Sequence, residues 1–457
     1  MGVTRILKVW FVLSSLLLFS SANAQYRPFS DLTAGRYPDL AETLGEVSYE
    51  REIMYKIARP DLVFADEAWF TENGYDVSRG LTPATVRKIL DALAYAAPVE
   101  GESPGGYLRE RKTFFADYYG GDGTGQNFGS GRAVSKGRIQ IKGAKRTQMV
   151  APIEIKEGDH ASGYMDSFEV LREVLGSQIS HAEFPYGANR VVAVIATGTR
   201  VNGAPRFIVV REDPLRPGHF IENYELYGTR QERIRLRSVM EHLVDSLPQK
   251  PGSTFESEAE KLRAGLLESI ERHARVSAYS YANHFYHSAQ SPSNEGILGE
   301  LLDFGAFMSF AGFPKAGNPE DQEFNSNTKA AEVLFIEFLK SLRVNLPAHL
   351  RGYVIGNQRA VELMRERFES HLNFEMTMLT GAPVEFVEFL RDSPVVRNMG
   401  KILFSMSRAG QISEQDALLS RTYNEGTYIM NQILKTTTAL YLNFSGTEAG
   451  FKRALNR

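Results

Sequence analysis

The spacing of apolar residues changes period once along the chain, near Gln231, and this change limits the fold more than any other feature. Before it, residues 138–142, 149–156, 190–197 and 206–211 alternate apolar and polar positions and read as strands. One helix is expected among them, over 165–180, with Phe168, Leu171, Val174 and Leu175 on its apolar side. Residues 25–100 read as polar turns and short helices. The clearest of these helices is 83–97, striped by Val86, Ile89, Leu90 and Leu93. After Gln231 the spacing is three to four residues, predicting helices over 232–246, 256–289, 328–342, 358–371 and 413–442. A mixed front half and a helical rear half predict an α+β fold, in an order that fits the two lobes of a protein kinase. The sequence divides accordingly into 1–24, 25–230 and 231–457.

The first of these parts reads as an export signal. Arg5 and Lys8 are followed by an apolar run, 9–19, and then by Ala22-Asn23-Ala24, which predicts cleavage after Ala24 and a periplasmic or secreted protein. No later stretch is long and apolar enough to span a bilayer. The chain has no cysteine, which excludes disulfides, thiol catalysis and Cys-ligated zinc. Stability must then come from the core, and 457 residues suffice for one. A formal charge of −3 offers nucleic acid no attraction.

Several segments hold residues suited to phosphate chemistry. Residues 118–133, YYGGDGTGQNFGSGRA, are dense in glycine, so backbone N–H groups can approach a phosphate without a Cβ in the way. The tract lacks the Gly-Lys-Ser/Thr ending of a P-loop and reads equally well as a surface loop. Lys142 ends an alternating strand whose Ile139 and Ile141 point to the opposite side. A strand lysine of this kind reaches nucleotide phosphates when a helix glutamate holds it, and Glu173 is the candidate. Arg211, Arg216 and His219 follow in VVREDPLRPGHF; taken singly, each reads as a solvated loop residue. His284 and His287 have the spacing of a chelating pair, but no third ligand accompanies them and packing is the expected role. No GxSxG elbow is present. Residues 291–305, SPSNEGILGELLDFG, end in the Asp-Phe-Gly that holds magnesium in protein kinases, with Asn294 nine residues before Asp303.

Read in order, these segments resemble the selenoprotein O family of kinase-like protein adenylyltransferases. The family's Gly-Asp-Gly-Arg-Ala corresponds to Gly129-Ser-Gly131-Arg132-Ala133, and its Gln-Leu-Lys-Gly-Ala to Gln140-Ile-Lys142-Gly-Ala144. Its Ile-Arg-Glu-Phe-Leu helix is similar to Leu171-Arg-Glu173-Val-Leu175, and its Asp-Asn-Met-Ser-Ile-Leu-Gly-x-x-Ile-Asp-Tyr-Gly aligns without a gap from Ser293 to Gly305. The likeness covers about residues 118–313 and continues beyond only as helical character. It implies a two-lobed kinase-like fold with an antiparallel sheet in the first lobe. It also implies ATP bound with Mg2+ or Mn2+, and AMP transferred to Ser, Thr or Tyr hydroxyls of protein substrates. Lys142 and Glu173 would act in catalysis, with Glu169 as the substitute partner. Gly129, Gly131, Arg132, Arg211 and Arg216 would bind the nucleotide, and Asn294 and Asp303 the metal. The chain departs at Ser293, where the family has the aspartate expected to act as base; serine takes no proton at neutral pH. Glu295 and Glu300 are candidate replacements. The other readings are a nucleotide-binding pseudoenzyme and a helical scaffold or peptide-binding protein that kept only the fold.

Overall fold

The computed structural model describes residues 26–29, 31, 37, 39–120, 129–150, 162–223, 226–287, 290–305, 307–309, 332–333 and 335–409. The expected signal segment, the 413–442 helix and residues 121–128, half of the glycine tract, lie outside these residues. The first half contains α1 (Leu40–Leu44), β1 (Tyr49–Ile57), β2 (Asp61–Ala65), α2 (Glu67–Glu72), α3 (Pro83–Leu93), β3 (Tyr95–Ala96) and β4 (Tyr107–Asp117). It continues through β5 (Ala133–Lys136), β6 (Ile139–Lys142), α4 (Ser167–Glu183), β7 (Val191–Val201) and β8 (Ala204–Glu212). Helices dominate thereafter: α5 (Arg230–Met240), α6 (Leu243–Ser246), α7 (Glu258–Ala282), a helix over 335–345, α8 (Ala348–Arg351), α9 (Asn357–Met378), α10 (Val384–Phe389) and α11 (Pro394–Ala409). The fold is α+β.

Eight strands form one antiparallel sheet in the order β2-β7-β8-β6-β5-β4-β1-β3. All four residues of β6 are buried because both faces of the sheet are covered there. Ile139 and Ile141 pack with Trp69, Ile89, Leu93 and Phe114 on the face that α2 and α3 cover. On the other face Val191, Val194 and Val209 meet Val170 of α4. The alternation of a strand therefore sends Gln140 and Lys142 toward α4. The helical core, Leu236, Val239, Leu262, Leu266, Phe338 and Leu342 among others, also takes in Tyr49, Leu215 and Phe220 from the first half.

Several elements differ from expectation. Residues 49–57, read as turn and short helix, form β1; its charged residues hide the alternation, and Glu52 is buried against Lys145. The 83–97 helix stops at Leu93, after which Tyr95–Ala96 joins the sheet as β3. The 232–246 helix is broken after Met240 into α5 and α6. The 256–289 helix ends at Ala282, where Asn283 caps it and His284 takes a left-handed φ of 59°; Phe285–Tyr286 then pairs as a strand with Met308–Ser309. Met149, expected to open a strand, lies in a turn, and 151–156 fall outside the described residues.

The largest correction concerns α4. Of the expected stripe, Phe168, Leu171 and Leu175 are 60%, 54% and 51% exposed and only Val174 packs inward, while Val170, Glu173, Gly176, Ser177 and Ser180 are buried. In its second half the helix lies so close to its neighbours that small or hydrogen-bonding residues fill the space beneath it. A Cβ on Gly176 would stand 2.5 Å from Phe304, and Ser177 Oγ donates to Asn189 O at 2.9 Å.

Candidate functional site

Lys142, at the end of β6, is the centre of the site. Its amine donates to Glu173 Oε2 at 3.0 Å and to Asp303 Oδ1 at 2.8 Å, with its side chain 3% exposed. Glu173 reaches it because Asp166 caps α4, accepting the N–H groups of Phe168 and Glu169, and so fixes which residues face the sheet. The other oxygen of Glu173 accepts from Arg211, and Phe304 N–H donates to Oε2 at 3.2 Å. Burial opposes the charge on Glu173, but Lys142 and Arg211 outweigh it and hold the carboxyl below its usual range.

Three arginines flank this group. Arg211 stands opposite Gln140 in the β6–β8 register and donates to Gln140 Oε1 at 3.0 and 2.6 Å. Arg216 donates to the Ser293 carbonyl at 2.8 Å and lies over the Tyr119 ring. Arg132 forks onto Glu169 at 2.8 and 3.1 Å, so Glu169 serves Arg132 while Glu173 serves Lys142. Arg211, Arg216 and His219 are all buried, which overturns the solvated-loop reading of each. Gly129 sits where the end of the glycine tract returns to β4. Its φ is 156°, and a Cβ there would lie 1.9 Å from Asp117 O, so only glycine fits. Gly131, two residues on, accepts from Thr147 N at 2.9 Å.

Residues 294–302 form a tight hairpin. Leu302 N–H donates to Asn294 O at 3.0 Å, and Gly296 N–H to Glu300 O at 2.8 Å, which brings Asn294 beside the strand that leads into Asp303. Asp303 has a left-handed φ of 62° and a side chain 36% exposed; among the described residues its hydrogen bonds all fall on Oδ1. Burial works against its charge, yet Lys142, Arg211 and Arg132 together hold it well below the usual carboxylate range. Ser293 is buried, with its hydroxyl 2.8 Å from that of Ser291. Glu295 lies against His273 of α7, and Glu300 is buried and lines a cavity with Leu215, Arg272 and Ile297 on the helical side of the hairpin. His287 donates to Leu302 O at 2.7 Å and packs on Phe304, which fixes its ring against the segment leading into Asp303.

A second buried network stands behind the first and was not foreseen. Gln140 Nε2 donates to Asp213 at 3.1 Å, tying Asp213 to both Arg211 and Arg216. Asp117 pairs with His219 at 2.8 Å and accepts from Ser130, and His219 Nδ1 accepts from Arg216 N–H. Burial, then the Asp117 charge, push the Asp213 carboxyl up to about 7. The one signal for this network was a glutamine between two isoleucines in a strand ending at the candidate lysine.

Among the described residues no three His, Asp or Glu side chains converge on a metal position. The donors present suit a hard cation bound partly by substrate: magnesium takes one or two protein oxygens and completes its shell with phosphates and water. Asp303 and Asn294 are of that type. No protein-family model matches the chain, and no curated protein is significantly similar to it.

Proposed function

We propose that this chain is a kinase-like, two-lobed nucleotidyltransferase that moves AMP from ATP to hydroxyl groups of protein substrates. The observation that carries the reading is Lys142 held between Glu173 and Asp303, with Asn294 brought alongside by the hairpin. A lysine placed by a buried glutamate and facing a metal-type carboxylate is the phosphate-handling arrangement of kinase-like enzymes. The flipped nucleotide, and hence the α-phosphorus as target, rests on the family resemblance and on Arg132, Arg211 and Arg216 around it. The acceptor oxygen bonds to that phosphorus, the bond to the β-phosphate oxygen breaks, and pyrophosphate leaves carrying the electron pair. Lys142 and Arg132 stabilise the phosphate charge, and Asp303 and Asn294 would hold Mg2+ or Mn2+, which supplies charge neutralisation on the leaving phosphates. The acceptor proton is left to solvent, since residue 293 is a serine. The export pattern at the N-terminus supports a periplasmic or secreted location for this activity.

A second reading has its own support. Ser293 is bonded to Ser291, Glu295 lies against His273 and Glu300 faces a cavity on the helical side, which supports a nucleotide-binding pseudoenzyme that lacks the base. The test uses ATP labelled at the α or the γ position, protein acceptors, and magnesium or manganese. Transfer of α label alone, lost in Asp303→Ala, is the expected result. Transfer of γ label would make the protein a kinase. Metal-dependent thermal stabilisation by ATP without transfer would leave the pseudoenzyme, and no stabilisation would leave a scaffold; stabilisation grows as RT ln(1 + [L]/Kd).

A further inference from the structure

Helix α5 turns a face of one charge to solvent. Arg230, Arg233 and Arg237 recur at spacings of three and four residues, so they line one side of it over about 10 Å, and all three are exposed. Ile234, 45% exposed, sits among them, and Tyr227, 69% exposed, precedes them. Among the described residues none of the three forms an ion pair; Arg233 reaches the Gly228 carbonyl at 2.7 Å. Glu232, within the same helix, spends both oxygens on Arg235, and one of them also accepts the Asn223 N–H. Glu241, one turn beyond Arg237, pairs with none of them among the described residues.

This arrangement works against the helix. Like charges three and four residues apart repel, and Arg230 and Arg233 stand at the positive, N-terminal end of the helix dipole. The inner face holds α5 in place instead. Leu236, Val239 and Met240 join the helical core, and Arg235 donates to His219 O and Ile221 O, both at 2.7 Å. That inner face also reaches the site, because Asn223, bonded to Glu232, donates to Tyr119 O at 3.0 Å. The outward arginines give the core no contact, in a chain whose formal charge is −3. Their counter-charge has to come from outside the chain.

We propose that the outward face of α5 docks an acidic segment of a partner protein. Its carboxylates pair with Arg230, Arg233 and Arg237, and an apolar side chain of the segment lies over Ile234. Every cation on α5 is arginine, whose planar fork takes a carboxylate bidentately. A lipid surface fits less well: it needs a broad apolar face, and Ile234 is the one large exposed apolar residue of this helix. Nucleic acid also fits less well, since three cations along about 10 Å meet few phosphates. The inference does not depend on what the site transfers; under the transferase reading the acidic segment belongs to the acceptor protein.

The test follows the fluorescence anisotropy of a short fluorescein-labelled polyglutamate peptide with a central leucine, titrated with the full chain at low salt. Arg230→Glu with Arg237→Glu should weaken binding at least about tenfold. Arg109→Glu with Arg111→Glu, an equal charge change at exposed positions of β4, should weaken it less than about twofold. Saturating ATP with magnesium should leave the peptide bound. No binding by the parent, or equal weakening by the two double variants, would overturn the proposal. So would displacement by ATP, which places the peptide on Lys142 and its neighbours, or tighter binding of phosphatidylglycerol vesicles or single-stranded DNA to the same face. If the glutamates unfold the chain, Arg230→Gln with Arg237→Gln decides. These neutral side chains keep helix propensity, so binding should weaken about threefold or more while the melting temperature holds or rises. A lower melting temperature with peptide binding unchanged would make the arginines structural and refute the docking.

Discussion

On the sheet side of the site, Lys142, Arg211, Glu173 and Gln140 spend most of their hydrogen-bonding capacity on one another, out of water. On the hairpin side, Asp303 is one-third exposed, and backbone hydrogen bonds across residues 294–302 hold it in place. The first arrangement fixes positive charge rigidly where a phosphate would lie, at the cost of desolvation. The second leaves oxygen ligands able to change partners. Glu169 and Arg132 stand between the two, partly exposed and joined to each other. Under the transferase reading, a site that binds an anion and then adjusts to its metal benefits from having both kinds of wall.

The sharpest break of this comparison is Glu173→Ala. It removes the shared buried acceptor of Lys142, Arg211 and the Phe304 N–H at once, leaving Asp303 to Lys142 and Gln140 to Arg211, and removing one partner of a buried ion pair costs about 3–5 kcal/mol. Urea unfolding should show that loss, while Asp303→Ala, whose partner Lys142 keeps Glu173, should cost no more than about 1 kcal/mol. Equal losses for the two variants would mean that the hairpin side is held as rigidly as the sheet side.

A smaller effect comes from Asp213 and depends on pH. Its folded pKa of about 7 stands above the unfolded value, so the folded chain keeps a proton there that the unfolded chain has released. Stability from this group is complete below about pH 4 and is lost as pH rises toward 7. Asp213→Asn keeps an acceptor for Gln140 and removes the titration. It should match the parent below about pH 4 and exceed it by about 2–4 kcal/mol at pH 8. Glu173 and Asp303, both depressed, act in the opposite sense, losing their contribution only as pH falls below about 4. A parent whose urea midpoint is flat from pH 5 to 8 would remove Asp213 as a proton holder.

The sequence carried the α+β class, because a change of period survives substitution of individual residues. It also carried the joining of Lys142 to Glu173 and the placing of Asn294 near Asp303, because a strand end, a helix turn and a hairpin fix those relations locally. It misread β1, where charged residues occupy buried or edge positions, Glu52 most clearly. The facing of α4 was misread at Phe168, Leu171 and Leu175 for a related reason. Burial there is decided by how near Phe304 and Asn189 come, and apolar spacing alone carries no record of that distance. The Asp117, Asp213 and His219 network is assembled from four separate segments, and no single window of sequence contains it.

The smallest expected change is at Ser293, and it probes the hairpin wall alone. Its hydroxyl meets Ser291 and its carbonyl is held by Arg216, so Ser293→Ala removes one hydroxyl contact and should cost about 1 kcal/mol or less. Under the transferase reading the rate in that variant should match the parent, with both slow and rising with pH as the acceptor loses its proton unaided. Ser293→Asp restores a carboxylate next to Asn294. A well-oriented base is worth about two to four powers of ten, and a carboxylate placed in a pocket shaped for serine should recover only the low end of that range. The new charge adds to that of Asp303, while Arg216 at the same peptide partly offsets it, so the gain should appear only at saturating magnesium or manganese. Transfer of α label measured against metal concentration in parent, Ala and Asp variants checks this. If Ser293→Ala abolishes transfer, the serine itself takes part, as acceptor or ligand, and the hairpin wall is then fixed in one arrangement like the sheet wall opposite.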